Sequence, residues 1–186
     1  MLANNGRNSI RLKAYDYSQP GAYFITICTH KRKCLFGDIY DRRMSLNGIG
    51  RIVENEWIRT ASLRPNIELD FFVIMPNHIH GIIIIHKNNG YKGGSQHAST
   101  NRKQGVDSSK FKSPSKSIGA IVRGVKSAVT GRVNKFNGTL GKKLWQRNYW
   151  ERVIRNEFEL QHIREYIQNN PIAWESDELN PMNCSY

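Results

Sequence analysis

The chain has 186 residues, enough for one domain with a buried core of its own and no need of disulfide staples. Its 28 Lys and Arg against 15 Asp and Glu leave a formal charge of +13, which suits a polyanionic partner: nucleic acid first, an anionic membrane surface second. No membrane span is expected, because the longest apolar run, Gly81 to Ile85, is far too short.

The opening MLANNGRNSIRLKAYDY has no apolar signal core, and Cys28, Cys34 and Cys184 form neither an even disulfide set nor a CxxC pair, so the cytoplasm is the expected compartment. GAYFITICTH, from Gly21 to His30, is β-branched and aromatic and predicts a buried strand. CLFGDIYDRRMSL predicts a short hairpin with Gly37-Asp38 near its turn. A helix is expected to start after Ser45 or Asn47, since Ile49, Ile52, Val53, Glu56 and Trp57 form a 3.6-residue stripe, and Pro65 closes that region. NIELDFFVIM predicts a second core strand. The turn signal Pro76-Asn77 leads directly into HIHGIIIIH, apolar on both faces as a central strand is.

From Lys87 to Ser117 the texture changes to Gly, Ser, Asn and Lys, with seven Lys or Arg and one acid, Asp107. A segment with so little to bury predicts a mobile basic insertion at about 87–117. Ile118, Ile121, Val122, Val125, Val129, Val133 and Phe136 then describe an amphipathic helix, with Arg123 and Lys126 off the stripe. KLWQRNYWERVI predicts a fourth strand. NEFELQHIREYIQNNP predicts a last helix with Phe158, Ile163, Tyr166 and Ile167 on one side, ended by Pro171. The tail from about 175, with Glu175, Asp177 and Glu178, reads as a solvated end. The order βαββαβ followed by a helix predicts a single α+β domain over 1–186. It has a ferredoxin-like antiparallel sheet with helices on one face, its first and third strands central, and a further C-terminal helix.

In MPNHIHGIIII, His78 and His80 fall on one face of the third strand, about 6.6–6.8 Å apart along it. Imidazole is a poor core residue, and two that converge can hold one divalent ion, whereas two satisfied polar histidines at a strand end are the plainer reading. A metal on so basic a protein implies phosphate chemistry, which needs a nucleophile; with no GxSxG elbow and no HExxH helix, water or one of eight tyrosines remains. Tyr166 shares a helical face with Asn170, so a phenol and an amide oxygen can meet at the metal, unless Tyr166 simply packs with Ile163 and Ile167. Asp70, on the hairpin neighbour, is a reserve third ligand, and Tyr149 a strand aromatic for packing or for stacking on DNA. His86 shares the histidine face but lies about 20 Å along the strand from His78. His30, His97 and His162 have no partner spacing.

PNHIHGII, then a basic helix, then LWQRNYWERVIRNEFELQHIREYIQNNP, resembles the single-tyrosine HUH transposases, and most of all the REP-associated tyrosine transposases. The resemblance runs from about Arg11 to Trp174. It implies that His78 and His80 bind a divalent metal, Mg²⁺ or Mn²⁺, that Tyr166 of YIQNNP is the catalytic nucleophile, and that Asn170 is the polar metal-site residue. The implied reaction is cleavage and rejoining of single-stranded DNA at hairpins or imperfect palindromes, through a 5′-phosphotyrosine, by a monomer or homodimer. DNA contacts are then expected of Arg11, Lys13, Lys116, Arg123, Lys126 and Arg147. Two rivals stand beside this reading: a non-catalytic hairpin-binding module of the same fold, and a metal hydrolase that uses water.

Overall fold

The computed structural model describes residues 15–87 and 117–183; Arg11, Lys13, Lys116 and nearly all of the expected basic insertion lie outside them. Four strands form the main sheet: β1 (Gly21–Cys28), β4 (Ile67–Ile74), β5 (His78–Ile85) and β6 (Trp150–Ile154), in the order β4-β5-β1-β6. All three pairings are antiparallel, and β5 and β1, the third and first core strands, are central as expected for a ferredoxin-like sheet. A central antiparallel strand with packed layers on both sides has no solvent face. This is why HIHGIIII carries no charged residue and is buried along almost its whole length.

Strand alternation divides β1 and β5 between two layers. Tyr23, Ile25 and Ile27 with Ile79, Ile83 and Ile85 face α1 (Gly48–Ser62) and α2 (Ile118–Phe136), meeting Val53, Trp57, Ile121, Val125 and Val129 there. On the other face Phe24, Val73 and Ile82 meet Leu160, Ile163 and Ile167 of α3 (Glu157–Asn169). The first two helices thus cover one face and the C-terminal helix the other, leaving His78 and His80 on the α3 side. Asn47 caps α1, accepting from the backbone N–H of Ile49 and Gly50, and Ser117 and Asn156 cap α2 and α3. The Glu56 carboxylate, buried between α1 and α2, takes Arg132 Nε at 2.8 Å and joins the two helices.

Three expectations are corrected. The hairpin is β2 (Gly37–Tyr40) with β3 (Arg43–Leu46), and its turn is Asp41-Arg42, both at positive φ (47° and 61°), as a tight hairpin turn requires. Gly37 instead opens β2 at φ 140°, where a side chain would run into the Ser45 carbonyl. The fourth strand is shorter than the sequence suggests, since Trp145 makes only an isolated bridge with Thr29. Phe158 is not part of the buried stripe of α3: it is 85% exposed, and Leu160 takes the place beside Ile163.

Two glycines give opposite predictions from one measurement. A Cβ at Gly81 would overlap the buried Trp57 ring and lie 3.2 Å from Phe72 Cβ, so Gly81→Ala should lower the unfolding free energy in urea by about 1–3 kcal/mol. Gly131, in the last third of α2 with nothing near its Cβ position, should gain about 0.5–1 kcal/mol as alanine.

Candidate active site

His78 and His80 stand side by side on β5, their rings 4.4 Å apart between centroids, and both are buried. Burial pushes the His78 imidazole down to about 3, the neighbouring Asn170 amide opposing the shift, and burial with the His78 ring beside it holds His80 well below the usual histidine range. Both rings are therefore neutral at pH 7, the form that binds a metal.

The lone pairs are aimed by hydrogen bonds. Asn77 donates both amide hydrogens, to Arg32 O (3.0 Å) and Leu179 O (2.7 Å), so its oxygen faces His78 Nδ1 at 2.7 Å. An oxygen there accepts, so Nδ1 carries the proton and Nε2 presents its lone pair. His80 Nδ1 lies 2.8 Å from the Thr26 hydroxyl, its register partner on β1, and His80 Nε2 lies 3.2 Å from the Tyr166 hydroxyl.

Tyr166 is carried to that place by α3. Ile163 and Ile167 bury one stripe of the helix against Ile82 and Ile154, and Arg164 grips Asp70 through Nε (3.0 Å) and Nη2 (2.7 Å). Asp70 sits where β4 loses register between Leu69 and Phe72, and the guanidinium also lies over the Phe71 ring. The reserve ligand is thus not at the histidines: Asp70 clamps α3 to the sheet and fixes which way Tyr166 and Asn170 point. Phe24 stacks on His80 (5.3 Å, 26°) and meets the Tyr166 ring edge-on at 6.0 Å, which gives the phenol one packed side. Its other side is open, for Tyr166 is 45% exposed. Burial raises the phenol's pKa with help from the Asp177 charge, while the Asn170 amide favours the ionised form. Tyr166 thus shares its helix with Ile163 and Ile167 and brings its hydroxyl to a histidine nitrogen.

The chain after α3 does not run off into solvent. It turns through Trp174–Ser176 and folds back as a strap. Arg32 Nη1 donates to Glu178 O (2.9 Å), the Leu179 carbonyl takes the Asn77 amide, and buried Asn180 donates to Trp174 O (3.0 Å). Leu179 N–H donates to Asp177 Oδ1 (2.7 Å), leaving Oδ2 turned inward, 3.9 Å from His78 Nε2. The expectation of a solvated tail therefore fails at Asp177, whose carboxylate is 7% exposed.

Three buried side-chain polar atoms at this site have no hydrogen-bond partner among the described residues: His78 Nε2, Asn170 Oδ1 and Asp177 Oδ2. The ligand atoms of His78, His80 and Asp177 lie within 4.8 Å of one another. Buried orphans are costly, and two imidazoles, a carboxylate and an amide oxygen around one point form a mixed nitrogen and oxygen donor set that fits a divalent cation. Sequence reasoning found His78, His80 and Asn170 and missed Asp177, which lies 97 residues from His80 with no periodic pattern around it.

A cleft opens over this group, walled by Phe24, Tyr149, Trp150, Tyr166 and the strap. Lys126, expected to meet DNA, turns its ammonium to the carbonyls of Gln146 (2.9 Å) and Asn148 (3.0 Å), and burial lowers it to about 8. Arg123 is exposed on α2, in the layer on the other side of the sheet, and Arg147 is exposed in the segment that Lys126 holds. Tyr149 donates to Glu151 at 2.6 Å, the hydrogen bond of a packed residue. His86 bonds Glu68 (2.7 Å) at the far end of β5, and His162 is exposed.

No family model matches the chain. An uncharacterized protein of Haemophilus influenzae is 44% identical over 173 residues, covering 93% of this chain and 92% of that protein. Among solved structures, a REP-associated tyrosine transposase bound to a REP hairpin superposes with a TM-score of 0.58 at 19% identity, over 88% of this chain and 74% of the other. At that identity the likeness establishes the fold. A chain of Deinococcus radiodurans described only as a candidate transposase reaches a TM-score of 0.45 at 16% identity, over 86% of this chain and 95% of that one. No helix among the described residues is long and apolar enough to cross a membrane.

If the three orphaned atoms mark a metal site, calorimetric titration with Mn²⁺ should show binding that His78→Ala and His80→Ala abolish. Asp177→Ala should weaken it by roughly ten-fold or more, with the circular dichroism of all three unchanged. Undiminished binding by either histidine variant would place the ion elsewhere.

Proposed function

We propose that this chain, which belongs to one family with the uncharacterized Haemophilus influenzae protein and has the fold of a REP-associated tyrosine transposase, cuts and rejoins single-stranded DNA at hairpins through Tyr166. The observation that carries the proposal is the 3.2 Å approach of the Tyr166 hydroxyl to His80 Nε2, which puts a half-exposed nucleophile at the edge of a buried set of metal-type donors. The hairpin comes from the DNA held by the solved neighbour, and the chain's own charge of +13 suits such a partner.

His78, His80, Asp177 and Asn170 would hold the divalent ion. Once bound, Mg²⁺ or Mn²⁺ neutralises charge on the scissile phosphate. The remaining work belongs to side chains. Tyr166 Oη, its ring set by Phe24 and by the Arg164–Asp70 clamp, attacks phosphorus in line. The P–O3′ bond breaks, the phenol gives up its proton, and the departing strand gains one as a free 3′-hydroxyl. The new phosphotyrosine is itself a phosphodiester, so attack by a 3′-hydroxyl regenerates DNA and the phenol without an added energy source. Attack by water would give that up, which is the chemical reason for a tyrosine here. Of the residues expected at DNA, Arg147 is exposed between Gln146 and Asn148, which line the cleft, and Arg11, Lys13 and Lys116 lie outside the described residues.

Tyr166→Phe keeps the ring and its contact with Phe24 and removes the attacking oxygen. The variant should bind hairpin DNA and Mn²⁺ as the parent does, yet form no covalent adduct on a denaturing gel and no cleaved strand. Cleavage by the parent with no adduct would favour the water-using hydrolase. Hairpin binding with neither adduct nor cleavage would leave a binding module.

A further inference from the structure

We propose that Trp150 is the stacking platform for an unpaired nucleobase next to the scissile phosphate, a reading that rests on the DNA-cutting role of Tyr166. The sheet register places it. Thr26 of β1 pairs with His80 on one side and with Trp150 on the other, so His80, Thr26 and Trp150 form one row across three strands. Residues paired in register point to the same face, and adjacent strands lie about 4.8 Å apart, so the indole stands on the metal-binding face about 10 Å from His80. That is within the reach of one nucleotide.

Its exposure is unlike that of a packing tryptophan. Trp145, five residues earlier, is buried and donates its indole N–H to Lys126 O at 3.1 Å. Trp150 is 51% exposed on the edge strand, and no aromatic ring among the described residues stacks on it. It forms part of the wall of the catalytic cleft and also of a second cleft that continues past it, lined by Arg152, Arg155 and Phe158. A flat ring beside the nucleophile offers a base a π-face, and Arg155 with the Glu159-paired Arg152 offers its phosphates hydrogen-bond donors, although Glu151 and Glu159 line the same cleft. Arg152, two residues on and therefore on the same face, is 64% exposed and held at 2.6 Å by Glu159. Gln146 and Asn148 border the catalytic cleft, and the Lys126 ammonium holds their backbone carbonyls. Charge and shape together favour a single strand over an apolar protein segment, for which the arginine flank has no use.

The test uses the full chain and two probes of about ten nucleotides, an oligothymidylate and an abasic strand of the same length, because aromatic stacking tolerates any base. By fluorescence anisotropy, the parent should prefer the strand with bases by about 5- to 150-fold, the range expected for one stacked base. Trp150→Ala should lose that preference while keeping its affinity for the abasic strand, and Trp150→Phe should keep most of it. A preference that survives in Trp150→Ala, or no preference in the parent, would overturn the inference. A parent that shows no preference but still forms the Tyr166 adduct leaves the function standing and removes only the platform. If Trp150→Ala proves unfolded, Trp150→Leu, which keeps apolar bulk but has no π-face, takes its place, and a preference that survives in it overturns the inference.

Discussion

Asn77 gives both its amide hydrogens to carbonyl groups, those of Arg32 and Leu179, and thereby turns its oxygen towards His78. Much follows from that one buried side chain. It sets the His78 tautomer, so that the lone pair on Nε2 faces the site and the proton does not. It also ties three separate parts of the chain to the start of β5: the turn after β1, the histidine strand and the C-terminal strap. A buried amide with its donors and acceptor all in use has one stable orientation, so the three segments are fixed together. An aspartate in its place would have no hydrogens to donate, and an alanine would orphan two carbonyls and an imidazole at once.

The second constraint acts from the opposite side of the site. An α-helix on a sheet can slide or roll by part of a turn with little loss of apolar contact, so Ile163 and Ile167 alone do not set where Tyr166 points. The two hydrogen bonds from Arg164 to Asp70 do, because a fork of fixed geometry fits one rotation of the helix. The bulge in β4 brings that carboxylate within reach. The site is thus a junction of a central strand that aims two imidazoles, a helix that aims a phenol, and a strap that returns a carboxylate.

The order of strands and helices was legible because period and length speak for themselves: HIHGIIII is too short and too apolar for anything but a central strand, and the stripes of α1 and α2 repeat every 3.6 residues. The histidine pair was legible for the same reason, since alternation puts His78 and His80 on one face; helical spacing relates Tyr166 to Asn170, but singling out that tyrosine among eight rested on the family resemblance. Asp177 was not. Its tail has no periodicity, three acids in four residues read as solvated charge, and the contact that buries one of them is made with a strand almost a hundred residues away. Asp70 was misplaced because hairpin proximity says nothing of a β-bulge, and Gly37 was taken for a turn residue because the φ that demands glycine there belongs to the first residue of a strand. Lys126 shows the remaining difficulty: a lysine off the apolar stripe looks free in sequence, and only the fold reveals the two carbonyls that hold it.

The central claim is that the paired histidines of β5 and the returning carboxylate make one metal centre beneath Tyr166. The most direct measurement is an anomalous difference map from crystals of the protein grown with Mn²⁺. The account predicts a peak within about 2.0–2.3 Å of His78 Nε2, His80 Nε2 and Asp177 Oδ2, on the side of the Tyr166 hydroxyl. Crystals with manganese bound only at surface carboxylates, and none between the two imidazoles, would contradict it.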